Sequence, residues 1–335
     1  MCATDPGGYV VTMLPDVIRV EPILVERPWG GRRLERFGRA IPEGASAGES
    51  WEVADLAASG EGPERCTLVA GGPLAGARLV DIIDAYGAGF LGSAMPAPDG
   101  RFPLLVKLLD AREHLSVQVH PPPAVADADP AVRAKNESWY VLDVEPDARI
   151  WIDVRTDATD AQLAAVVGTP AMLDLLGELP VRVGDFHHIP AGRVHALGAG
   201  LLVLEIQTPS DTTFRMYDWA AEYDRVPRPL HLEESLRSIV RGDAAALSVG
   251  ASERPGTRRL VTTTDYWIRE HRTDDGTVHL DERAELRVVT VVRGSMSLGT
   301  EQLHDGDTRI LPARSDAIGA VAAEPGSVVV ETGLI

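Results

Sequence analysis

Apolar and polar positions alternate in short blocks along most of the chain, and Gly, Pro and Asp punctuate the blocks. Residues 102–109 form one apolar run, 115–120 alternate, and 138–143 alternate again, which predicts three strands. Residues 181–190 and 201–208 predict two more. A helical period surfaces in three places. Residues 75–92 set Leu79, Ile82, Ile83 and Tyr86 on one side. Residues 157–179 carry Leu163, Val166 and Val167 and then Met172, Leu175 and Leu176, with Gly168-Thr169-Pro170 dividing the stretch into two helices. Residues 227–239 hold the third pattern. After a polar connector at 250–258, residues 260–335 return to short strands between Gly and Asp turns, as in 285–292 and 326–330.

This order predicts a mainly β protein built from two antiparallel barrels of the jelly-roll kind, with a few helices between strands and joining the barrels. The expected division is an N-terminal catalytic domain at 1–225, a helical linker at 226–255 and a smaller C-terminal barrel at 256–335. A chain of 335 residues is long for one barrel and comfortable for two.

Composition narrows the function classes. A formal net charge of −18 opposes nucleic-acid binding, which rewards clustered Lys and Arg. No apolar run reaches the length of a membrane span, and the first residues lack the basic-then-apolar order of a signal peptide, so a cytoplasmic protein is expected. Cys2 and Cys66 are the only cysteines, so any metal must be held by nitrogen and oxygen. Lys107 and Lys135 are the only lysines. A genome poor in lysine codons explains the scarcity, and the two that persist suggest a need for a compact ammonium.

The candidate chemistry centres on Ser116-Val117-Gln118-Val119-His120. On a strand, Ser116, Gln118 and His120 share one face and the two valines the other. A polar face lining a barrel implies a cavity with something in it, whereas an exposed edge strand would alternate in the same way. Residues 184–195 fit the second motif of the cupin barrels, Gly-x5-Pro-x-Gly-x2-His, carried by Gly184, Pro190, Gly192 and His195. The turn residues would aim His195 into the barrel, so the two barrels are expected to be cupin-type. Glu137 opens another alternating strand and by itself reads as surface. In 201–207 alternation puts Val203, Glu205 and Gln207 on one face, making Glu205 a candidate acid or base against the alternative of an exposed edge residue. Lys107 interrupts the run Leu104-Leu105-Val106-Lys107-Leu108-Leu109, where a charge costs several kcal/mol unless it is paired or faces a wet cavity. Arg215 is a candidate anion clamp or an ordinary surface arginine. His187 and His188 are read as structural.

These residues resemble those of the type I mannose-6-phosphate (phosphomannose) isomerases, across nearly the whole chain. The matching blocks run in the family's order: Pro28-Trp29-Gly30-Gly31, Gly48-Glu49-Ser50-Trp51-Glu52, then 116–121, 135–140, 190–196 and 210–219, with Arg228-Pro229-Leu230-His231 leading into the linking helix. The resemblance implies one Zn²⁺ in the N-terminal barrel, held by Gln118, His120, Glu137 and His195. It implies catalytic roles for Arg215, Glu205 and Lys107 and substrate binding by Ser116 and Lys135. The implied reaction interconverts mannose 6-phosphate and fructose 6-phosphate through a cis-enediol. Such a ligand set suits zinc, with Fe²⁺ or Mn²⁺ chemically acceptable. Three alternatives stand beside this reading: the same chemistry on another or unphosphorylated sugar, a non-catalytic sugar-binding metal cupin, and an Fe²⁺ dioxygenase, which the Gln and Glu ligands disfavour. The implied partner is a small sugar phosphate, with neither nucleic acid nor membrane and the oligomeric state open.

Overall fold

A computed structural model describes residues 13–58, 63–129, 131–242, 256–281, 285–313 and 319–335, and the backbone alone at 252–254. The chain is mainly β, its sheets are antiparallel, and its helices are few and short. No helix among the described residues is long and apolar enough to cross a membrane.

Two compact units divide the chain, with cuts after residues 21, 65, 103 and 249. They interleave rather than following each other as the sequence boundaries near 225 and 255 do. Backbone pairing explains the difference. Ile18 exchanges two hydrogen bonds of 2.9 Å with Ile310, and the Phe90 carbonyl accepts the Ala313 N–H at 2.9 Å, which ties early segments to the C-terminal sheet. Local periodicity carries no information about partners that distant.

The unit spanning 22–65 and 104–249 contains the chemistry. The strands of its two large sheets are β1 (Ile23–Val25), β2 (Glu49–Val53), β3 (Leu105–Ala111), β4 (Val117–Val119), β5 (Glu137–Val144), β6 (Arg149–Val154), β7 (Leu176–Pro180), β8 (Phe186–Ile189), β9 (His195–Leu197), β10 (Leu201–Gln207) and β11 (Phe214–Tyr217). One sheet runs β1-β2-β3-β10-β5-β8 and the other β11-β4-β9-β6-β7. Leu109, Val141 and Val203 of the first sheet share a buried cluster with Ile150, Ile152 and Leu197 of the second, so the two sheets face each other. The outer face of the second sheet, with Val117, Val119, Trp151 and Ala196, packs under helical residues Leu163 and Met172.

Side-chain alternation then sorts the inner layer by position along the strands. Leu109 and Val203 point inward at one end, so Lys107 and Glu205, two residues away, also point inward. Leu197 points inward, and His195 with it, while Ala196 points out. Val117 and Val119 point out, which turns Gln118 in; Phe214 and Met216 point out, which turns Arg215 in. The inner layer is therefore apolar at one end and polar at the other.

Two stretches differ from the sequence expectation. Of residues 157–179, only Asp160–Val166 is an α-helix, opened by a reciprocal capping box between Thr159 and Gln162. Beyond Gly168, Pro170–Leu175 is a 3₁₀ turn and Leu176–Pro180 an edge strand, because pairing to β6 outcompetes a helix that Gly and Pro had already interrupted. The strand expected over 181–190 begins only at Phe186, since Arg182 and Asp185 close a turn before it. β6 itself was not anticipated, although its alternation is clean: Ile150 and Ile152 face inward, Trp151 and Val154 outward.

Candidate metal centre and active site

Three side chains from three separate segments meet at the polar end of the inner layer. One ligating atom from each of His120, Glu137 and His195 lies within 4.8 Å of the other two, and all three residues are buried. His120 follows β4, Glu137 opens β5 and His195 opens β9. The Pro190-Ala191-Gly192 turn locks them together. Gly192, at φ 89°, donates its N–H to the His120 carbonyl at 2.8 Å, and Asn136 Oδ1, beside Glu137, accepts the Ala191 N–H at 3.0 Å. A Cβ at Gly192 would stand 2.5 Å from Val240 Cγ2, so both the left-handed backbone and the space call for glycine.

The hydrogen bonds define which atoms are left over. His120 Nδ1 donates to the Thr212 carbonyl and His195 Nδ1 to the Arg193 carbonyl, each at 2.9 Å. Both imidazoles thus turn Nε2 toward Glu137, at 3.2 Å from Oε2 for His120 and 3.0 Å from Oε1 for His195. Burial, reinforced by the Lys135 charge, pushes the His120 pKa down to about 3, so its Nε2 is an unprotonated lone pair at neutral pH. Burial would raise Glu137, but the Lys135 charge outweighs it and holds the carboxyl well below its usual range. Lone pair faces lone pair. His120 Nε2 and both Glu137 oxygens have no directional hydrogen-bond partner, although Lys135 Nζ stands 2.6 Å from Oε2 as a point charge. Convergent buried acceptors without donors are what a divalent cation relieves, and nitrogen with carboxylate oxygen suits zinc. Gln118 sits beside them, its amide nitrogen 3.1 Å from His195 Nε2 and its oxygen accepting from Ser116 Oγ at 3.1 Å. A half-turn of this carboxamide would bring the oxygen to the same point.

Gln118 and Lys135, which contact His195 and Glu137, also line a cavity of about 500 Å³. Both of the protein's lysines face it. One row of paired residues crosses the sheet from Trp51 through Lys107 and Glu205 to Trp139. Lys107 Nζ lies 3.1 Å from Glu205 Oε1 and 4.9 Å over the Trp51 ring, and Trp139 Nε1 donates to Glu205 Oε2 at 3.0 Å. Glu205 is on a central strand and almost fully buried, which removes the exposed-edge alternative. Ser116 and Arg215 line the same cavity, Arg215 donating to the Pro229 carbonyl at 2.8 Å. Neither His187 nor His188 is among the lining residues; His188 Nδ1 contacts Ser138 Oγ at 3.0 Å.

The sequence reading missed several cavity residues. Glu49 binds Arg27 through Nε at 2.8 Å and Trp51 Nε1 at 2.6 Å. Burial would raise its pKa, but Lys107 and Arg27 outweigh that and bring it down to about 2. Arg65 reaches Asp211 at 3.3 Å, and Arg228 and His231 complete the wall. The available signal was the alternation of Glu49-Ser50-Trp51-Glu52-Val53, a strand with an acid on each face. In all, six cationic side chains (Arg27, Arg65, Lys107, Lys135, Arg215, Arg228) line the cavity against three carboxylates (Glu49, Glu205, Asp211), in a protein of net charge −18. The local field is positive where the global one is negative.

The chain is similar to proteins already known. The description "Phosphomannose isomerase type I, catalytic domain" matches residues 17–152. Over 291 residues, 85% of this chain and 88% of the other, the sequence is 32% identical to the mannose-6-phosphate isomerase of Streptococcus mutans serotype c (strain ATCC 700610 / UA159). The chain belongs to the type I phosphomannose isomerase family. Its fold matches the crystal structure of the mannose 6-phosphate isomerase from Bacillus subtilis with a TM-score of 0.78 at 28% identity, covering 95% of this chain and 99% of that one. A crystal structure of mannose 6-phosphate isomerase bound with zinc and yttrium shares the fold at a TM-score of 0.73 and 16% identity, covering 96% of this chain and 100% of that one.

Proposed function

We propose that the protein is a zinc-dependent isomerase that interconverts mannose 6-phosphate and fructose 6-phosphate. The observation that carries this reading is the set of unsatisfied buried acceptors on His120 and Glu137, beside His195, joined through Gln118 and Lys135 to a cavity that gathers six cations. His120, Glu137, His195 and Gln118 would hold one ion in this N-terminal strand-rich unit. Bound zinc supplies a charge that polarises sugar hydroxyl and carbonyl oxygens.

The chain's own residues do the rest. Ser116 and Lys135 line the cavity beside the ligands and orient the sugar by hydrogen bonding. Glu205 takes the proton from the carbon next to the carbonyl and returns it to the neighbouring carbon, passing through a cis-enediol. Trp139 fixes one oxygen of Glu205, and Lys107 pairs with the other at 3.1 Å and is placed to exchange a proton with the sugar oxygens. Arg215 balances negative charge that develops on those oxygens. Of the alternatives, turnover of an unphosphorylated sugar fits the cavity's positive balance least well.

The test is a coupled assay over a small panel of aldoses, with and without a 6-phosphate, before and after exhaustive chelation and zinc restoration. Mannose 6-phosphate should be isomerised, and activity should vanish and return with the metal. Full activity in the metal-free protein would sink the metal-dependent mechanism, and no turnover with zinc restored would sink the isomerase reading.

A further inference from the structure

We infer that Asp153, a strand residue in left-handed backbone that closes on Arg193, is a positioning residue of the metal centre, fixing the carbonyl that orients His195. This rests on the metal reading above and goes past it by naming what aims one of the ligands.

Among the described residues, four other than glycine have positive φ, and Asp153, at φ 67°, is the one that lies inside a strand. It is also the bulge of β6. Ile152 pairs with Gly177 of β7 and Val154 with Leu176, so Asp153 is left over between them. Left-handed backbone disfavours a residue with a Cβ, and glycine would adopt it without strain. Stability alone would favour glycine or an unbulged strand here. An aspartate only 7% exposed holds the position instead, and strain of this kind collects where it re-aims a functional segment.

The segment in question carries His195. Arg193 Nε donates to Asp153 Oδ1 and Nη2 to Oδ2, a two-pronged pair with both side chains largely buried. One residue on, the Val194 carbonyl accepts the Asp153 N–H at 2.7 Å. Asp153 therefore grips the chain on both sides of the Arg193 carbonyl, by side chain at Arg193 and by backbone at Val194. The Arg193 N–H closes the turn on the Pro190 carbonyl at 3.2 Å. The Arg193 carbonyl is held in one orientation, and His195 Nδ1 donates to it at 2.9 Å. His195 itself stands opposite Ile152, the residue before the bulge. Its imidazole is thus aimed from β6, the neighbouring strand. Nε2 faces Glu137 only while that carbonyl keeps the Nδ1 proton.

The experiment measures zinc affinity by competition with a chromophoric chelator, together with the visible absorption of the Co²⁺-loaded protein. It compares the unaltered chain with Asp153→Gly, Asp153→Asn and Arg193→Met. Asp153→Gly suits the backbone while removing the carboxylate. It should weaken zinc binding by about 10- to 100-fold, the usual range for a group that orients a metal-bound histidine. The Co²⁺ absorption should change with it, because the spectrum reports ligand geometry. Asp153→Asn tolerates the same φ and keeps an acceptor for Arg193, so it should recover part of the affinity. Asp153→Gly combined with Arg193→Met should bind zinc no more weakly than Asp153→Gly alone, since the two side chains act as a unit. Should Asp153→Gly fail to fold, Asp153→Asn reads the same quantity with a smaller shift. Unchanged zinc affinity with an unchanged Co²⁺ spectrum would overturn the assignment. A lower unfolding midpoint with both retained would overturn it too, marking the pair as structural, as would losses of affinity that add in the combined variant. No zinc binding by the unaltered protein would refute the metal reading and this assignment with it. Asp153-dependent zinc binding without turnover of mannose 6-phosphate would leave the assignment standing and refute the isomerase reading.

Discussion

The two units of the chain each bury a histidine against a glutamate, and only one pair is a candidate metal centre. In the C-terminal unit, His271 Nε2 meets Glu331 Oε2 at 2.9 Å, and His271 Nδ1 meets Thr257 Oγ1 at 3.1 Å. The other Glu331 oxygen accepts the Asp281 N–H at 2.9 Å. Every donor finds an acceptor, and the pair is a closed structural network. Around Glu137 the same residue types leave acceptors facing acceptors, because both histidines have spent their Nδ1 protons on backbone carbonyls. Residue type and burial therefore do not distinguish a metal site from a structural pair. Unspent valence does.

The largest expected effect breaks the comparison at the metal. His120→Ala should lose bound zinc, measured by elemental analysis, and with it several kcal/mol of charge stabilisation, about 10³-fold or more in kcat/KM. Arg215→Ala should keep its zinc and turn over poorly; equal metal loss in both would mean their roles are misassigned. Next, Glu205→Gln preserves shape and hydrogen bonding to Trp139 while removing the base, and should lower kcat by about 10²- to 10⁴-fold with zinc retained. Near-normal kcat would move the proton transfer elsewhere, Lys107 first.

His271→Ala probes the other side of the comparison. It strands buried Glu331 and should cost about 3–5 kcal/mol in denaturant unfolding, with zinc content and kcat of the folded fraction unchanged. Loss of zinc there would erase the distinction between the two pairs. The smallest effect is in pH dependence. Glu49 is held at about 2 in the folded protein against an ordinary 4.5, so its contribution to stability is complete above about pH 4.5 and is lost as the pH falls toward 2. That difference is worth up to about 3 kcal/mol. Stability measured at pH 5 and at pH 3 should fall more steeply in the unaltered protein than in Glu49→Gln; parallel slopes would mean the Arg27 and Lys107 contacts do not hold Glu49 ionised.

Much of this was legible in the chain itself. Alternation in 115–120 and 201–207 set which side chains share a face, since a strand leaves no other choice, and the Pro190-x-Gly192 turn placed His195. Charge interrupting the apolar run at Lys107 announced a pairing or a cavity, and both are present. Glu137 gave no local signal, because a glutamate before an apolar strand looks the same whether it meets solvent or two imidazoles. Arg228 was silent for the same reason, and the edge strand Leu176–Pro180 looked helical until its partner was known.

Sequence by itself determined the strand faces, the turn chemistry and the list of residues capable of acting, because these follow from backbone geometry over a few positions. Tertiary structure decided which of those residues meet, which protons are already committed, and where six cations outnumber three carboxylates in a protein of net charge −18. Distance, hydrogen-bond direction and local charge are sums over segments far apart in the chain, and no local pattern contains them.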